Sequence, residues 1–296
     1  MALIKGIYAA SMSIFREDLS LDLEKTKKHA ESIIKLGCHG VAILGSTGQA
    51  QLISIKEKCE LVDELSDSKE RENFIIGTGT NSFSDTVNLM NHSKKNGFDK
   101  FLLMPPAYYK YNDDGAYLFY SKILDKVKGC KIILYNFEKL CGYKFSISCV
   151  EKLAKDFPKE IIGVKDSTYN LYENLKIKNF SILIGSEVKL LKGLEIGCSG
   201  IISATCNVTA SLARKVYDDF QKKEPQSENE KLCKIRKVFD NYNLISAVHS
   251  FKSNEKSFYK RVLPPLTLLN NAQHKDLLLE LKDLDFIPKK NIAAWD

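Results

Sequence analysis

Arginine is scarce in this 296-residue chain, occurring only at Arg16, Arg71, Arg214, Arg236 and Arg261, so nearly all the positive charge is lysine. Acidic residues intersperse almost everywhere, and no basic block of the kind that marks a nucleic-acid footprint forms. With 44 Lys plus Arg against 37 Asp plus Glu, the net charge of +7 is the mild excess of a solvated lysine surface. No window approaches the ~18 consecutive apolar residues of a membrane span. Ser11, Ser13, Arg16 and Glu17 interrupt any apolar stretch near the N-terminus, so no secretory leader is read there. These absences point to a cytoplasmic protein whose partners are neither nucleic acid nor membrane.

Paired cysteine motifs are also missing. Cys38, Cys59, Cys130, Cys141, Cys149, Cys198, Cys206 and Cys233 are scattered without a Cys-x-x-Cys pair or a histidine at ligand spacing. Reduced thiols are expected, several acting as small hydrophobes in apolar runs. His29, His39, His92, His249 and His274 form no His-Glu-x-x-His pattern, so no metal is expected. Where a dinucleotide-binding fold would carry Gly-x-Gly-x-x-Gly after its first strand, the chain reads Ala-Ser-Met-Ser-Ile-Phe from Ala10 to Phe15.

What the sequence does contain is an alternation. Short apolar runs occur at Ile4–Ala9, Gly40–Leu44, Phe74–Gly77, Lys100–Met104, Lys131–Tyr135, Ile161–Lys165, Ser181–Gly185 and Gly200–Ser203. Each is too short for a helix and ends in Gly, Pro, Ser, Thr or Asn, as strands buried on both faces do. Between them lie helical or helix-length segments. Ile55, Cys59, Val62 and Leu65 share one face, and Leu212, Val216 and Phe220 follow a polar start at Thr209 and Ser211. Leu23, Ala30, Ile33 and Ile34 precede Gly37, which caps that helix. Eight βα units predict an α/β fold that closes as a (β/α)8 TIM barrel over residues 1–225. The pattern from about Glu228 is helical only, so 226–296 is expected to be a helical appendage packed beside the barrel, with one helix over His274–Lys282.

Such a barrel places chemistry at the C-terminal ends of its strands. Lys165 ends the run Ile161-Ile162-Gly163-Val164, where alternation predicts Ile161, Gly163 and Lys165 on one face. Apolar neighbours would strip water from its ammonium and favour the free amine of a Schiff-base nucleophile. Tyr135 ends the preceding run, close enough on a neighbouring parallel strand to relay protons. Gly45-Ser46-Thr47-Gly48 follows the second run, where two hydroxyls and backbone N–H groups can cradle a carboxylate. Each feature alone has an ordinary reading as a solvated lysine, a rim aromatic or a turn. Together they make an amine nucleophile, a phenol and an anion cradle at three strand ends.

These motifs, with Pro105-Pro106-Ala107-Tyr108-Tyr109, Tyr135-Asn136, Gly163-Val164-Lys165-Asp166-Ser167 and Gly200-Ile201-Ile202-Ser203, resemble the dihydrodipicolinate synthase and N-acetylneuraminate lyase family of pyruvate-dependent class I aldolases. The resemblance implies that Lys165 forms an imine with pyruvate, Tyr135 relays protons, and Ser46 and Thr47, in the turn begun by Gly45, bind the carboxylate or join the relay. It further implies that Tyr108 completes a hydroxyl chain in a neighbouring subunit, that Gly185 and Ile202 line the pyruvate pocket, and that the protein is a homo-oligomer, tetramer or dimer. No external cofactor is implied.

Substrate choice is mixed. Leu140 stands where the lysine-pathway synthase carries a carboxylate-binding arginine, and between Arg71 and Arg214 only Lys110, Lys139 or Lys144 could substitute. Leu140 and Ser46 look like the lyases, whose acidic pair is half retained as Glu187-Val188, whereas Gly200–Thr205 looks like the synthase. The leading expectation is reversible formation or cleavage of a 2-keto-3-deoxy sugar acid with pyruvate as one partner and an aldehyde or keto acid as the other. The alternatives are 4-hydroxy-tetrahydrodipicolinate synthase and a barrel that has lost catalysis.

Overall fold

Each apolar run becomes a strand, and the computed structural model describes residues 3–287. The strands are β1 (Gly6–Ala10), β2 (Gly40–Ile43), β3 (Phe74–Gly77), β4 (Lys100–Leu103), β5 (Lys131–Asn136), β6 (Ile161–Asp166), β7 (Ser181–Ile184) and β8 (Gly200–Ser203). They pair in sequence order into a closed barrel, with β8 parallel to β1. The fold is the expected (β/α)8 TIM barrel with C-terminal helices.

Period-two alternation sorts the strand side chains into two layers. Ala10, Ala42, Ile75, Leu102, Ile133, Leu183 and Ile202 fill the barrel interior. Ile7, Val41, Ile43, Ile76, Phe101, Ile132, Val164 and Ile201 face the helices. Burying each such aliphatic side chain stabilises the fold by roughly 1.5–3 kcal/mol. The seam closes on glycine: a Cβ at Gly200 (φ +143) would lie 1.9 Å from the Gly6 carbonyl oxygen.

One face assignment is corrected. Ile161 pairs with Ile132, but the next pairing is Gly163 with Ile133, so β6 carries a bulge. Ile161 therefore joins the outer layer, while Ile162 packs against the interior cluster. Downstream of the bulge, Lys165 pairs with Tyr135.

The flanking helices are Leu23–Lys35, Ile55–Ser66, Phe83–Lys95, Asp113–Lys126, Ile147–Asp156, Leu190–Glu195 and Cys206–Lys222. Asp22, Ser54, Ser82, Asn112 and Ser146 cap the first five by accepting from backbone N–H groups. Helix Cys206–Lys222 begins ahead of the expected polar start, and Thr209 is buried within it. Its hydroxyl bonds the Thr205 carbonyl at 2.9 Å, so it belongs to the first turns rather than preceding them. The helix-length stretch between β6 and β7 contains no helix. There Asp166 accepts from the N–H groups of Tyr169, Leu171 and Tyr172 at 2.8–3.0 Å, giving that backbone partners other than its own carbonyls.

Helices Asn229–Asp240, Leu244–Lys252 and Asn271–Lys282 follow the barrel. They share a second core with Met12 and Ile14 through Ile235, Phe239, Val248, Phe251 and Leu277. The last begins a turn before His274 because Asn270 and Gln273 form a capping box. Residues 288–296 of the expected appendage lie outside the described residues. No helix among the described residues is long and apolar enough to cross a membrane, and the eight cysteines are all free.

Candidate active site

Strand alternation separates the two residues that end each central strand. Tyr135 and Lys165 point to the cavity side, while Asn136 and Asp166 turn outward and pin the loops. Asn136 donates to Asp166 and Asn170 at 2.8 Å each and accepts from the Phe145 N–H at 3.2 Å. These outward bonds hold the two strand ends in register.

Lys165 is 4% exposed, and its Nζ lies 4.1 Å from the centroid of the Tyr135 ring. The Tyr135 hydroxyl is 3.4 Å from Ser46 Oγ. Amine, phenol and turn hydroxyl, predicted from three separate motifs, thus form one continuous group. Ser46 sits in a turn bracketed by two left-handed residues, Leu44 (φ 58) and Gln49 (φ 57). Such conformations cost of order 1 kcal/mol each for residues with a Cβ and persist where surroundings enforce them. Here Gln49 Oε1 accepts from the Leu263 N–H at 2.7 Å, and its Nε2 lies 3.2 Å from His249 Nε2. The Gly48 carbonyl accepts from Ser13 at 2.7 Å.

The cavity occupies about 820 Å³ and is lined by Lys165, Tyr135, Ser46, Thr47, Gly185 and Ile202 among others. Gly185 is required sterically, because a Cβ there would lie 2.3 Å from Ser167 Oγ and 3.0 Å from its Cβ. Gly45 is different: it lines a small adjoining pocket, and a Cβ on it would meet nothing within 4 Å. The close approach in that turn belongs to Gly48, whose Cβ would be 3.0 Å from the Ser11 carbonyl oxygen. Tyr108 is outside the cavity, 88% exposed with φ 83, and packs edge-to-face on Tyr109.

A model of the dihydrodipicolinate synthetase family matches residues 3–283. This chain belongs to that family. It is therefore a lyase of the pyruvate-dependent class I aldolases. It is 25% identical to 4-hydroxy-tetrahydrodipicolinate synthase of Methanothrix thermoacetophila, covering 95% of this chain and 98% of that protein. It is 26% identical to an uncharacterised DapA-like lyase of Thermococcus kodakarensis, over 90% and 94% of the two chains. Among solved structures, YagE, a prophage protein of the dihydrodipicolinic acid synthase family from Escherichia coli K12 in complex with pyruvate, superposes with a TM-score of 0.87 at 23% identity, over 96% and 100% of the two chains.

Within this family member, the cavity walls hold residues that strand-end reasoning could not reach. Arg236, Lys237, Asp240, Asn243 and Leu244 line it from the helices beyond the barrel. The expected appendage therefore walls the site instead of merely packing beside it. Leu140 lines the cavity, as does Lys139, whereas Lys110 and Lys144 do not. The arginine that does reach it, Arg236, lies beyond the stretch between Arg71 and Arg214. Glu187, the retained half of the lyase-like acidic pair, is fully buried. It accepts from Ser203 at 2.6 Å, from Arg236 Nη1 at 2.7 Å and from Thr205. Burial pushes its carboxyl upward, but the Arg236 charge and the two hydroxyl bonds outweigh this and hold it below the usual carboxylate range.

Proposed function

We propose that this protein is a Schiff-base aldolase that reversibly forms or cleaves a 2-keto-3-deoxy sugar acid through a lysine–pyruvate enamine. The observation that carries this reading is the convergence of Lys165 Nζ, the Tyr135 ring and Ser46 Oγ within one buried corner of the cavity. In the condensing direction the Lys165 amine attacks the keto carbon of pyruvate, and the carbinolamine loses water to give a protonated imine. That cation is an electron sink, so the adjacent methyl gives up a proton and becomes a nucleophilic enamine. The enamine carbon adds to the aldehyde carbon, whose oxygen takes a proton, and water then hydrolyses the imine. Tyr135 carries these protons, with Ser46 as its partner in the relay, a reading supported by the 3.4 Å contact between their hydroxyls. Ser46 and Thr47 offer hydroxyls to the pyruvate carboxylate, while Gly185 and Ile202 bound the pocket. The imine itself stabilises the carbanion, so the reaction calls for no added cofactor.

Tyr108, outside the cavity lining and 88% exposed, suits a role between subunits, completing the hydroxyl chain of a neighbour in a cytoplasmic homo-oligomer. Size measured by light scattering tests this, and a monomer would refute it.

The second reading is 4-hydroxy-tetrahydrodipicolinate synthase, condensing pyruvate with aspartate semialdehyde. It is favoured by the name of the Methanothrix relative and disfavoured by Leu140 at the cavity wall. Borohydride reduction in the presence of pyruvate tests the shared chemistry. Mass spectrometry should place one reduced pyruvyl adduct on Lys165 and find none in Lys165→Ala; labelling elsewhere, or no labelling, would support a barrel that binds without catalysis. A substrate panel of keto-deoxy sugar acids against aspartate semialdehyde then separates the two enzymes.

A further inference from the structure

Tyr169 stands on the cavity wall with its backbone in the left-handed region, at φ 65. That conformation is disfavoured for any residue with a Cβ and is an outlier for a bulky aromatic, so its surroundings must enforce it. The enforcing bonds are plain. Asp166 accepts from the Tyr169 N–H through Oδ1 at 2.8 Å, and from the Leu171 and Tyr172 N–H groups through Oδ2 at 2.9 and 3.0 Å. Thr168 Oγ1 accepts from the Glu138 N–H at 2.9 Å. Asn170 donates to the Phe145 carbonyl at 2.9 Å and accepts from Asn136 at 2.8 Å. Residues 168–172 are thus each tied to Asp166, to the end of β5 or to the loop that follows β5. The backbone that aims the Tyr169 side chain has little slack.

The side chain is confined as well. Tyr169 is half-buried and packs against the core between barrel and helices, and Lys189 Nζ lies 5.0 Å from its ring centroid. Burial pushes its phenol up, while the nearby Arg236 charge and Ser186 hydroxyl oppose the rise. Ser186 and Lys189 follow β7, so the ring reaches from the loop after β6 to the neighbouring strand's turn. Strand order places β6, with Lys165 near its end, between β5 and β7. A molecule reacting at Lys165 therefore shares the cavity with a ring only four residues further along the chain. The volume of about 820 Å³ leaves length for a second substrate, whereas a confined aromatic beside the nucleophile limits its width.

We infer that Tyr169 is a specificity-determining residue: its ring is a fixed wall that admits unbranched, chain-like aldehydes and shuts out those carrying a ring next to the carbonyl. The inference rests on the pyruvate–imine reading above and refines it to the shape of the second substrate. Tyr169 takes no part in bond making.

The test pairs pyruvate with propanal and with benzaldehyde, in the parent, Tyr169→Gly and Tyr169→Phe. Glycine accepts the left-handed backbone and removes the wall, and phenylalanine keeps the ring. In Tyr169→Gly the benzaldehyde-to-propanal ratio of kcat/KM should rise on the order of 10- to 100-fold, the scale on which a pocket discriminates by size. Tyr169→Phe should keep the parental ratio. Imine trapping with pyruvate should succeed in all three proteins. Trapping that fails in the parent would refute the pyruvate reading itself. Trapping lost only in Tyr169→Gly would show that the residue holds the site together, which overturns the specificity role. An unchanged ratio in Tyr169→Gly, equal losses on both aldehydes, or a Tyr169→Phe enzyme as permissive as Tyr169→Gly would overturn it too.

Discussion

Arg236 and Glu187, 49 residues apart, form an ion pair of 2.7 Å in which the two side chains are 7% and 0% exposed. It ties a helix beyond the barrel to the turn after β7. Removing one member would strand the other charge in a site with little water, which typically costs ~3–5 kcal/mol. Arg236→Met should therefore lower the urea midpoint by a corresponding amount, and Glu187→Gln should lower it less because the amide still accepts from the guanidinium. Equal, negligible losses in both would show that the pair does not support the cavity wall.

Two fully buried histidines set a different response. His29 Nε2 lies 2.8 Å from Asn207 Oδ1, which can only accept, and Nδ1 lies 2.8 Å from the Tyr259 hydroxyl. His249 Nδ1 faces the Tyr259 carbonyl at 2.9 Å and Nε2 faces the Gln49 amide at 3.2 Å. Each ring thus has one donor and one acceptor satisfied in its neutral form. Burial lowers both, assisted at His29 by the Lys252 charge, from 6.5 to about 3 for His29 and about 4 for His249. The unfolded chain binds these protons near pH 6.5 while the folded one refuses them until pH 4 or below. Stability should be flat above pH 7 and fall between 6.5 and 4, by up to about 1.4 kcal/mol per pH unit for each group. Below pH 4.5 the unfolded chain also protonates Glu187 while the folded chain keeps it ionised, which adds to the decline. Denaturant midpoints at pH 7.5, 5.5 and 4.5 measure it, and no change between the first two would contradict the assignment.

His249 also connects the tail to the turn that carries Ser46 and Thr47, through its contact with Gln49. His249→Ala would leave the Gln49 amide without that partner and remove a brace from a turn held in left-handed backbone. We expect a KM for pyruvate raised about tenfold, the effect of one lost buried hydrogen bond, with kcat changed less. Unchanged KM in a folded variant would show that the turn holds its shape unaided.

The barrel was legible because every strand is a short apolar run closed by turn residues. The proximity of Lys165, Tyr135 and Ser46 was legible because a parallel barrel gathers its strand ends on one face, and there the three do lie side by side. The misreadings have local physical causes. Asp166 captures three backbone N–H groups and prevents the helix expected before β7. A bulge sends Ile161 to the outer layer, where strict alternation had placed it with Lys165. Arg236 and Lys237 carry no signal in their own segment, which reads as an ordinary amphipathic helix. Only its docking on the turn after β7 brings them to the cavity. Glu187 reads in the sequence only as half of a lyase-like acidic pair, because sequence cannot show that its oxygens are filled by Ser203, Thr205 and Arg236.

The relation between Tyr135 and Lys165 separates binding from proton transfer. The phenol ring lies under the ammonium at 4.1 Å, and only its hydroxyl reaches Ser46. Tyr135→Phe keeps the ring, its packing and the burial of Lys165 while deleting the one atom able to carry a proton. Imine trapping should survive in this variant, since attack by the amine needs the buried nitrogen and the keto carbon above all. Turnover should drop by about 10²- to 10⁴-fold, the usual worth of a positioned acid–base group. Ser46→Ala should cause a smaller loss, because the tyrosine hydroxyl remains and water can take the serine's place. If Tyr135→Phe turned over at the parental rate, the proton would have to travel by another route, and the 3.4 Å contact with Ser46 would be packing alone.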